Sequence, residues 1–234
     1  INTPPSIRSR QQDFFFPYIQ EYIEKAGYSF HDYILGGPPG VERLRHSTYD
    51  INDGRQSFGS FGTFSIIQEG INGKDSADRI EHRAKSQLAG IMGFLEYIYS
   101  RKPSLTALVD GARHAMSRTG TKYGAVQMEH VSRGTTLPLT LKSVTTGADT
   151  LIIAADYRPV VENRKSVSLP FGYLIPASQP QLVDWAKRHG FPMEKYVAEK
   201  NDIFEIYHFE GQDTINFEGD TVYTTEVKKV RGQA

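Results

Sequence analysis

Residues 45–70 read Arg45-His46-Ser47-Thr48-Tyr49-Asp50-Ile51-Asn52-Asp53-Gly54-Arg55-Gln56-Ser57-Phe58-Gly59-Ser60-Phe61-Gly62-Thr63-Phe64-Ser65-Ile66-Ile67-Gln68-Glu69-Gly70. The part from Thr48 to Gly59 is a polar, glycine-punctuated loop whose side chains can reach a ligand. Phe64-Ser65-Ile66-Ile67 has the texture of a short buried strand, and Gly70 ends it with a turn. Glu69 is therefore expected at a strand end, where sheet proteins present their reactive groups. A structural role is equally open to it, as a turn cap or as a partner of Arg55. Arg45, Asp50, Asp53 and Arg55 are dense enough to form an ion-paired network that stiffens the loop.

Working outward, Phe15, Ile19, Tyr22, Ile23 and Ala26 recur at helical spacing, with Asp13 as the expected N-cap, Pro17 in the first turn and Gly27 as the stop. Tyr28-Ser29-Phe30-His31-Asp32-Tyr33-Ile34 alternates aromatic with polar residues and predicts a strand. Beyond Glu69, an Asn72-Gly73 turn and Asp75 or Ser76 as N-cap open a helix with Ile80, Ala84, Leu88, Ile91, Leu95 and Ile98 on one stripe. That stripe is expected to pack on the sheet holding Glu69. Lys102-Pro103-Ser104 predicts a break before a second helix around Leu105 to Ser117.

From about Thr121 short β-rich segments take over, such as Thr136 to Leu141 and Thr150 to Ala154. An αβ insert follows: Gly172 to Pro176, then a helix with Ser178 and Gln181 as a capping box and Gly190 as stop. Two more strands, near Phe204 to Tyr207 and Thr221 to Tyr223, finish the chain. There is no internal repeat, heptad array or low-complexity tract. The organisation read from this is an α/β unit over residues 1–118 and a smaller β-rich α+β unit over residues 119–234.

Composition narrows the function classes. In 234 residues, 27 basic side chains balance 27 acidic ones, so no excess exists to neutralise nucleic-acid phosphates. No apolar run approaches the ~20 residues that span a bilayer. The chain begins at Ile1, as a processed or truncated product does, so the lack of a signal says little about its address. Zero cysteines exclude disulfides, thiolate nucleophiles and cysteine-ligated zinc. The seven histidines (31, 46, 82, 114, 130, 189 and 208) show no His-x-x-Glu or His-x-x-x-His spacing. Gly59-Ser60-Phe61-Gly62 falls one residue short of a nucleophile elbow, and the glycines from 36 to 62 do not precede a capped helix as a phosphate-cradling loop would. Glu69 is left as the candidate catalytic carboxylate, a general base that needs an electrophile-activating partner.

Over roughly Asn2 to Ser100, and most specifically from Arg45 through Asp53-Gly54-Arg55-Gln56-Ser57 to Glu69-Gly70, the sequence resembles the end of the catalytic domain of zinc carboxypeptidases, the carboxypeptidase A-like metallopeptidases. The resemblance implies part of an α/β/α sheet followed by an accessory region. It implies Glu69 as the base that deprotonates a zinc-bound water, and Tyr49 on a loop contacting the C-terminal residue of a peptide substrate. Arg55 is implied either as a carboxylate contact or, since the family's main arginine for that task lies upstream, as an ordering element of the loop. The family's zinc ligands, a His-x-x-Glu pair and a later His, are not in this sequence. The expectation is a C-terminal portion of such a peptidase. Alone it would be inactive and would bind no zinc tightly; in the parent it would need zinc and the missing N-terminal half of the domain, at a secreted or periplasmic address. No nucleic acid or membrane partner is expected, and an unpaired sheet edge would invite a homodimer. The other class of reading is a non-catalytic peptide- or glycan-binding module, with Tyr157, Phe171 and Tyr173 as candidate contact aromatics.

Overall fold

A computed structural model describes residues 2–37, 43–49, 53–70, 75–119, 123–200, 202–217 and 220–233. The chain mixes helices with several small sheets and divides into two units, Ile1–Phe171 and Gly172–Ala234. The expected boundary after residue 118 therefore falls inside the first unit. Strand β2 (Leu44–His46) lies between β1 (Ile34–Leu35), with which it is antiparallel, and β6 (Tyr157–Arg158), with which it is parallel, pairing Leu44 with Tyr157. The Asn2 side chain also exchanges two hydrogen bonds with the Ala125 backbone, at 2.9 and 3.1 Å.

The first helix begins nine residues before the sequence suggests. Pro5 starts α1 (Pro5–Arg10), a π turn follows over Gln11–Phe15, and α2 (Phe16–Lys25) continues without a gap, so Asp13 lies inside the helix and caps nothing. The cause is Pro17: its ring cannot sit against the carbonyl four residues back, and the wider π turn directly before it relieves that clash. The expected stop is correct. Gly27 takes φ +84°, and its N–H bonds to the Glu24 carbonyl while that of Tyr28 reaches Ile23, the paired bonds of a Schellman motif.

Residues 28–33 form no strand; the ladder is limited to Ile34–Leu35. Gly36 is required where β1 meets β2, since a Cβ there would lie 2.1 Å from the Arg43 carbonyl oxygen. The Asn72-Gly73 turn and Asp50 lie outside the described residues. Asp75 does cap, accepting from the Ala77 and Asp78 N–H groups at 2.8 Å. It closes a turn ahead of α4, which runs as one helix over Ile80–Thr119 with Pro103 inside. The predicted break does not occur, and the serines near the proline bond back within the helix, Ser100 to the Glu96 carbonyl at 2.7 Å and Ser104 to that of Arg101 at 2.9 Å. The carbonyl Pro103 leaves without a donor is that of Tyr99, a residue 86% exposed, where water reaches it.

The core lies where α2 meets α4. Phe15, Ile19, Ile23 and Tyr97 are buried, with Phe16, Phe64, Ile66, Phe94 and Leu105 against them. Phe15 is the hub, edge-on to Tyr97 at 5.1 Å, Phe94 at 5.6 Å and Phe64 at 6.2 Å. Such aromatic pairs contribute about 0.5–1.5 kcal/mol each beyond area burial. Gly93 lets the helices approach, its position for a Cβ being 2.9 Å from the Tyr22 ring. The face of α4 that packs is thus the one carrying Gly90, Gly93, Phe94 and Tyr97. The predicted stripe is on the other side: Leu88 is 55% exposed and Leu95 52%, and no sheet covers them among the described residues.

A second cluster, Leu44, Ala154 and Tyr157 with Ile34, Leu137 and Leu139, holds the small sheets together. It joins β4 (Leu137–Lys142) and β5 (Asp149–Ala154), near their expected bounds, to β1, β2 and β6. Beside them β3 (Tyr123–Val131) pairs antiparallel with β7 (Val160–Ser168). In the second unit, α5 (Pro180–Arg188) has Gln179 as N-cap with no side-chain bond, so the Ser178–Gln181 capping box does not form; Pro180 at the first helical position starts the helix instead. Gly190 does follow its end, at φ +68°. No strand forms over residues 172–176. The last two strands are much longer than expected, β8 (Ile203–Phe217) and β9 (Asp220–Gln233), a two-stranded ribbon with a bulge between Phe209 and Gly211.

Two substitutions test this core in opposite directions. Phe15→Ala removes the hub and should destabilise by about 3–5 kcal/mol in denaturant unfolding. The buried Tyr97 hydroxyl has no hydrogen-bond partner among the described residues, so Tyr97→Phe should leave stability unchanged or raise it by about 1 kcal/mol. A loss of stability in Tyr97→Phe would show that the hydroxyl is satisfied.

Candidate functional site

The polar loop of the sequence contains a helix. Asp53, in an extended conformation, caps α3 (Gly54–Ser60), its Oδ1 accepting from the Arg55 N–H at 2.8 Å. The Asp-Gly-Arg-Gln order carried this signal, an acid directly before residues that accept helical φ and ψ. The same carboxylate holds the Arg55 side chain, Nε to Oδ1 at 2.8 Å and Nη2 to Oδ2. Arg55 Nη1 then donates to Ser47 Oγ at 3.0 Å, and Gln56 Nε2 to the Thr48 carbonyl at 2.8 Å. The helix start and residues 47–48 are thereby tied into one polar unit.

Tyr33 stands next to this unit. Ile34 pairs with His46 across β1 and β2, so Tyr33 and Ser47 are the neighbouring positions one step beyond the ladder. The Arg55 guanidinium lies 5.2 Å from the centre of the Tyr33 ring, a cation–π contact. Burial, then the neighbouring Glu69 carboxylate, push the Tyr33 phenol above its usual range.

Glu69 lies at the end of residues 64–70, a segment that pairs with no strand among the described residues, contrary to the predicted strand. Packing and side-chain bonds hold it instead. Phe64 and Ile66 enter the helical core, and Gln11 Nε2 donates to the Ser65 carbonyl at 3.0 Å. Gln68 Nε2 reaches the Gln87 carbonyl and Oε1 on α4 at 2.9 and 2.7 Å, over Gly90, where any Cβ would collide with it. The Glu69 side chain is left exposed, as a group that must meet a ligand has to be.

Of the residues singled out in the sequence, Arg55 and Glu69 are near enough to influence each other electrostatically, and Tyr33 senses both. Tyr49 is placed against His130, ring centres 5.0 Å apart, and buried His130 meets the Ser47 carbonyl through Nε2 at 2.7 Å. Three donors of Arg55 are engaged by Asp53 and Ser47, which fits the ordering role more closely than the carboxylate-contact role. Of the candidate contact aromatics, Tyr157 is in the core while Phe171 and Tyr173 are exposed. Tyr33 and His130 escaped the sequence reading. Tyr33 sits in an alternation that predicts a strand, and His130 is one unremarkable histidine among seven.

The resemblance implies zinc, and the donor set can be checked for it. Among the described residues no three His, Asp or Glu side chains converge to hold a metal ion. The residues at Glu69 are a phenol, a guanidinium and a carboxylate already paired to that guanidinium, which do not fit zinc.

The Asp53–Arg55 pair makes stability depend on pH with a definite sign. Hydrogen bonding from Arg55 is the main reason the Asp53 carboxyl lies below its ordinary value of 3.8. Its contribution is therefore complete above about pH 4 and is lost as the pH falls through the lower folded value. With the pair about a fifth exposed, solvent screening makes the effect modest. Urea midpoints measured from about pH 5 to 2 should fall more steeply in the wild type than in Asp53→Asn, which keeps a capping side chain. Equal slopes would contradict the pairing. No family model, curated protein or solved structure matches this chain.

Proposed function

We propose that this chain is the C-terminal portion of a carboxypeptidase-like metallopeptidase in which Glu69 is the general base for hydrolysis of a peptide or amide bond near a C-terminus. The observation that carries the reading is an exposed carboxylate, at the end of a segment anchored on α4, near a tyrosine and near an arginine that a capping aspartate holds. Two further observations support it. Residues 64–70 carry an apolar pattern yet pair with no strand among the described residues, and the α4 stripe of Leu88, Ile91 and Leu95 stands exposed. Both are what elements of a larger α/β/α sheet look like without the rest of that sheet.

The steps assigned to this chain are proton transfers. Glu69 accepts a proton from the attacking water as its oxygen bonds to the substrate carbonyl carbon. It then delivers that proton to the departing amine nitrogen as the C–N bond breaks, leaving a carboxylate and an amine. The zinc implied by the resemblance would activate the carbonyl, through ligands outside the described residues.

In the longer polypeptide, Glu69→Gln should lower turnover by about 10² to 10⁴ with folding intact, the range for losing a positioned base. Turnover equal to the wild type would contradict the assignment. Calorimetric titration of zinc into this chain alone should show no stoichiometric site of submicromolar affinity, and such a site would overturn the division of the catalytic centre between two segments. The alternative, a non-catalytic peptide- or glycan-binding module, draws on Phe171 and Tyr173, large aromatics left at 112% and 69% exposure. It predicts that Glu69→Gln is silent while truncating these two rings removes binding.

A further inference from the structure

We propose that the outer edge of β9 is the seam of a homodimer, in which two copies of this chain pair residues 221–233 antiparallel about Val227 and so build a four-stranded sheet. The proposal concerns the second unit and does not depend on the role of Glu69.

The strands β8 and β9 run together over 15 and 14 residues, and no third strand joins them among the described residues. Such a ribbon leaves a row of backbone N–H and C=O groups along each outer edge, and two strands alone are marginal in water. The two edges are not alike. On β8, Phe209 pairs with Val227 and Gly211 with Glu226, so Glu210 is an extra residue that bends the strand and interrupts its edge. That strand also carries Glu205, Glu210 and Asp213 with no lysine or arginine, so two β8 edges repel each other. In contrast, β9 has neither an extra residue nor a proline, and it mixes Glu226 with Lys228, Lys229 and Arg231. Its Tyr223, Val227 and Val230 side chains are exposed. The edge left open is the one that can meet a copy of itself.

Charge selects the register as well as the edge. Outward backbone groups recur at every second residue, so an antiparallel self-pairing brings them together only when its twofold axis passes through a residue. An axis at Val227 sets Glu226 opposite Lys228 of the second copy, twice by symmetry, and Tyr223 opposite Arg231, a cation–π pairing. Axes at Glu226, Lys228 or Lys229 set like charges against each other, and an axis at Thr225 gives Glu226 only Thr224. Within its own ribbon Lys228 lies 3.9 Å from Glu210, so the dimer places it between two carboxylates. Phe209 already pairs with Val227, and about that axis the apolar row continues across all four strands as Phe209, Val227, Val227, Phe209. The twofold uses both β9 edges, which closes the assembly at two copies. A single strand pair is a small interface, and the dimer belongs in the micromolar range.

Sedimentation velocity of the whole chain from about 1 to about 100 µM should show a monomer–dimer equilibrium and nothing larger. Glu226→Lys or Lys228→Glu alone should weaken the dimer about tenfold, because two attractive cross-strand pairs become repulsive, and the double exchange should restore it. A cysteine-free chain allows a second reading by cross-linking. About this axis the two Val227 Cα atoms face each other at about 4.5–5.5 Å, within disulfide reach, while those of Thr221 stand on the order of 40 Å apart. Oxidised glutathione should therefore link Val227→Cys into a dimer and leave Thr221→Cys unlinked. A wild type that stays monomeric at about 100 µM overturns the proposal and leaves the edge to an added peptide strand. Growth beyond the dimer overturns the closed seam. Equal cross-linking at both positions, or a double exchange no tighter than the single ones, overturns the pairing about Val227.

Discussion

The carboxylate of Asp53 does two jobs with the same two oxygens. It caps α3 through the Arg55 N–H and chelates the Arg55 guanidinium, so a local helix start and a tertiary electrostatic contact form together. Such bidentate charge-assisted bonds are stronger and more directional than neutral ones. Everything polar around Glu69 depends on where that guanidinium points. It meets Ser47 through Nη1 and the face of Tyr33 at 5.2 Å, with the Glu69 carboxylate nearby.

The helical core is the scaffold to which this polar unit is fastened. The α2–α4 contact, centred on Phe15 and Tyr97, accepts Phe64 and Ile66 from the Glu69 segment, while Gly90 and Gly93 open the surface of α4 to close approach. A segment held by packing on one helix, and not by a ladder, keeps its strand-forming edge available. The exposed apolar side of the same helix points to the same condition. In a protein whose charges balance, apolar side chains half exposed along several helical turns are a cost that a covering layer would remove.

Much of this was legible in the residues, and the failures have specific causes. Glu69 at the end of an apolar segment, the Gly27 stop and the Asp75 cap could be read because each depends on a few consecutive residues. The break at Pro103 was misread because the carbonyl the proline strands, that of Tyr99, belongs to an exposed residue that water can reach. The packing face of α4 was misassigned because glycines and aromatics, and not the aliphatic stripe, meet α2. The contact of Tyr33 with Arg55 could not be found because it comes from being one step past the β1–β2 ladder, next to Ser47, a fact of register that periodicity does not contain. The pairing of β6 with β2 across more than a hundred residues is likewise a fact of register that local pattern does not contain.

The central claim is that Glu69 is the base of the reaction, and the pH dependence of kcat/KM in the longer polypeptide addresses it most directly. The acidic limb of that profile should vanish in Glu69→Gln, because the carboxylate that must be ionised is gone. An unchanged acidic limb in Glu69→Gln would contradict the account.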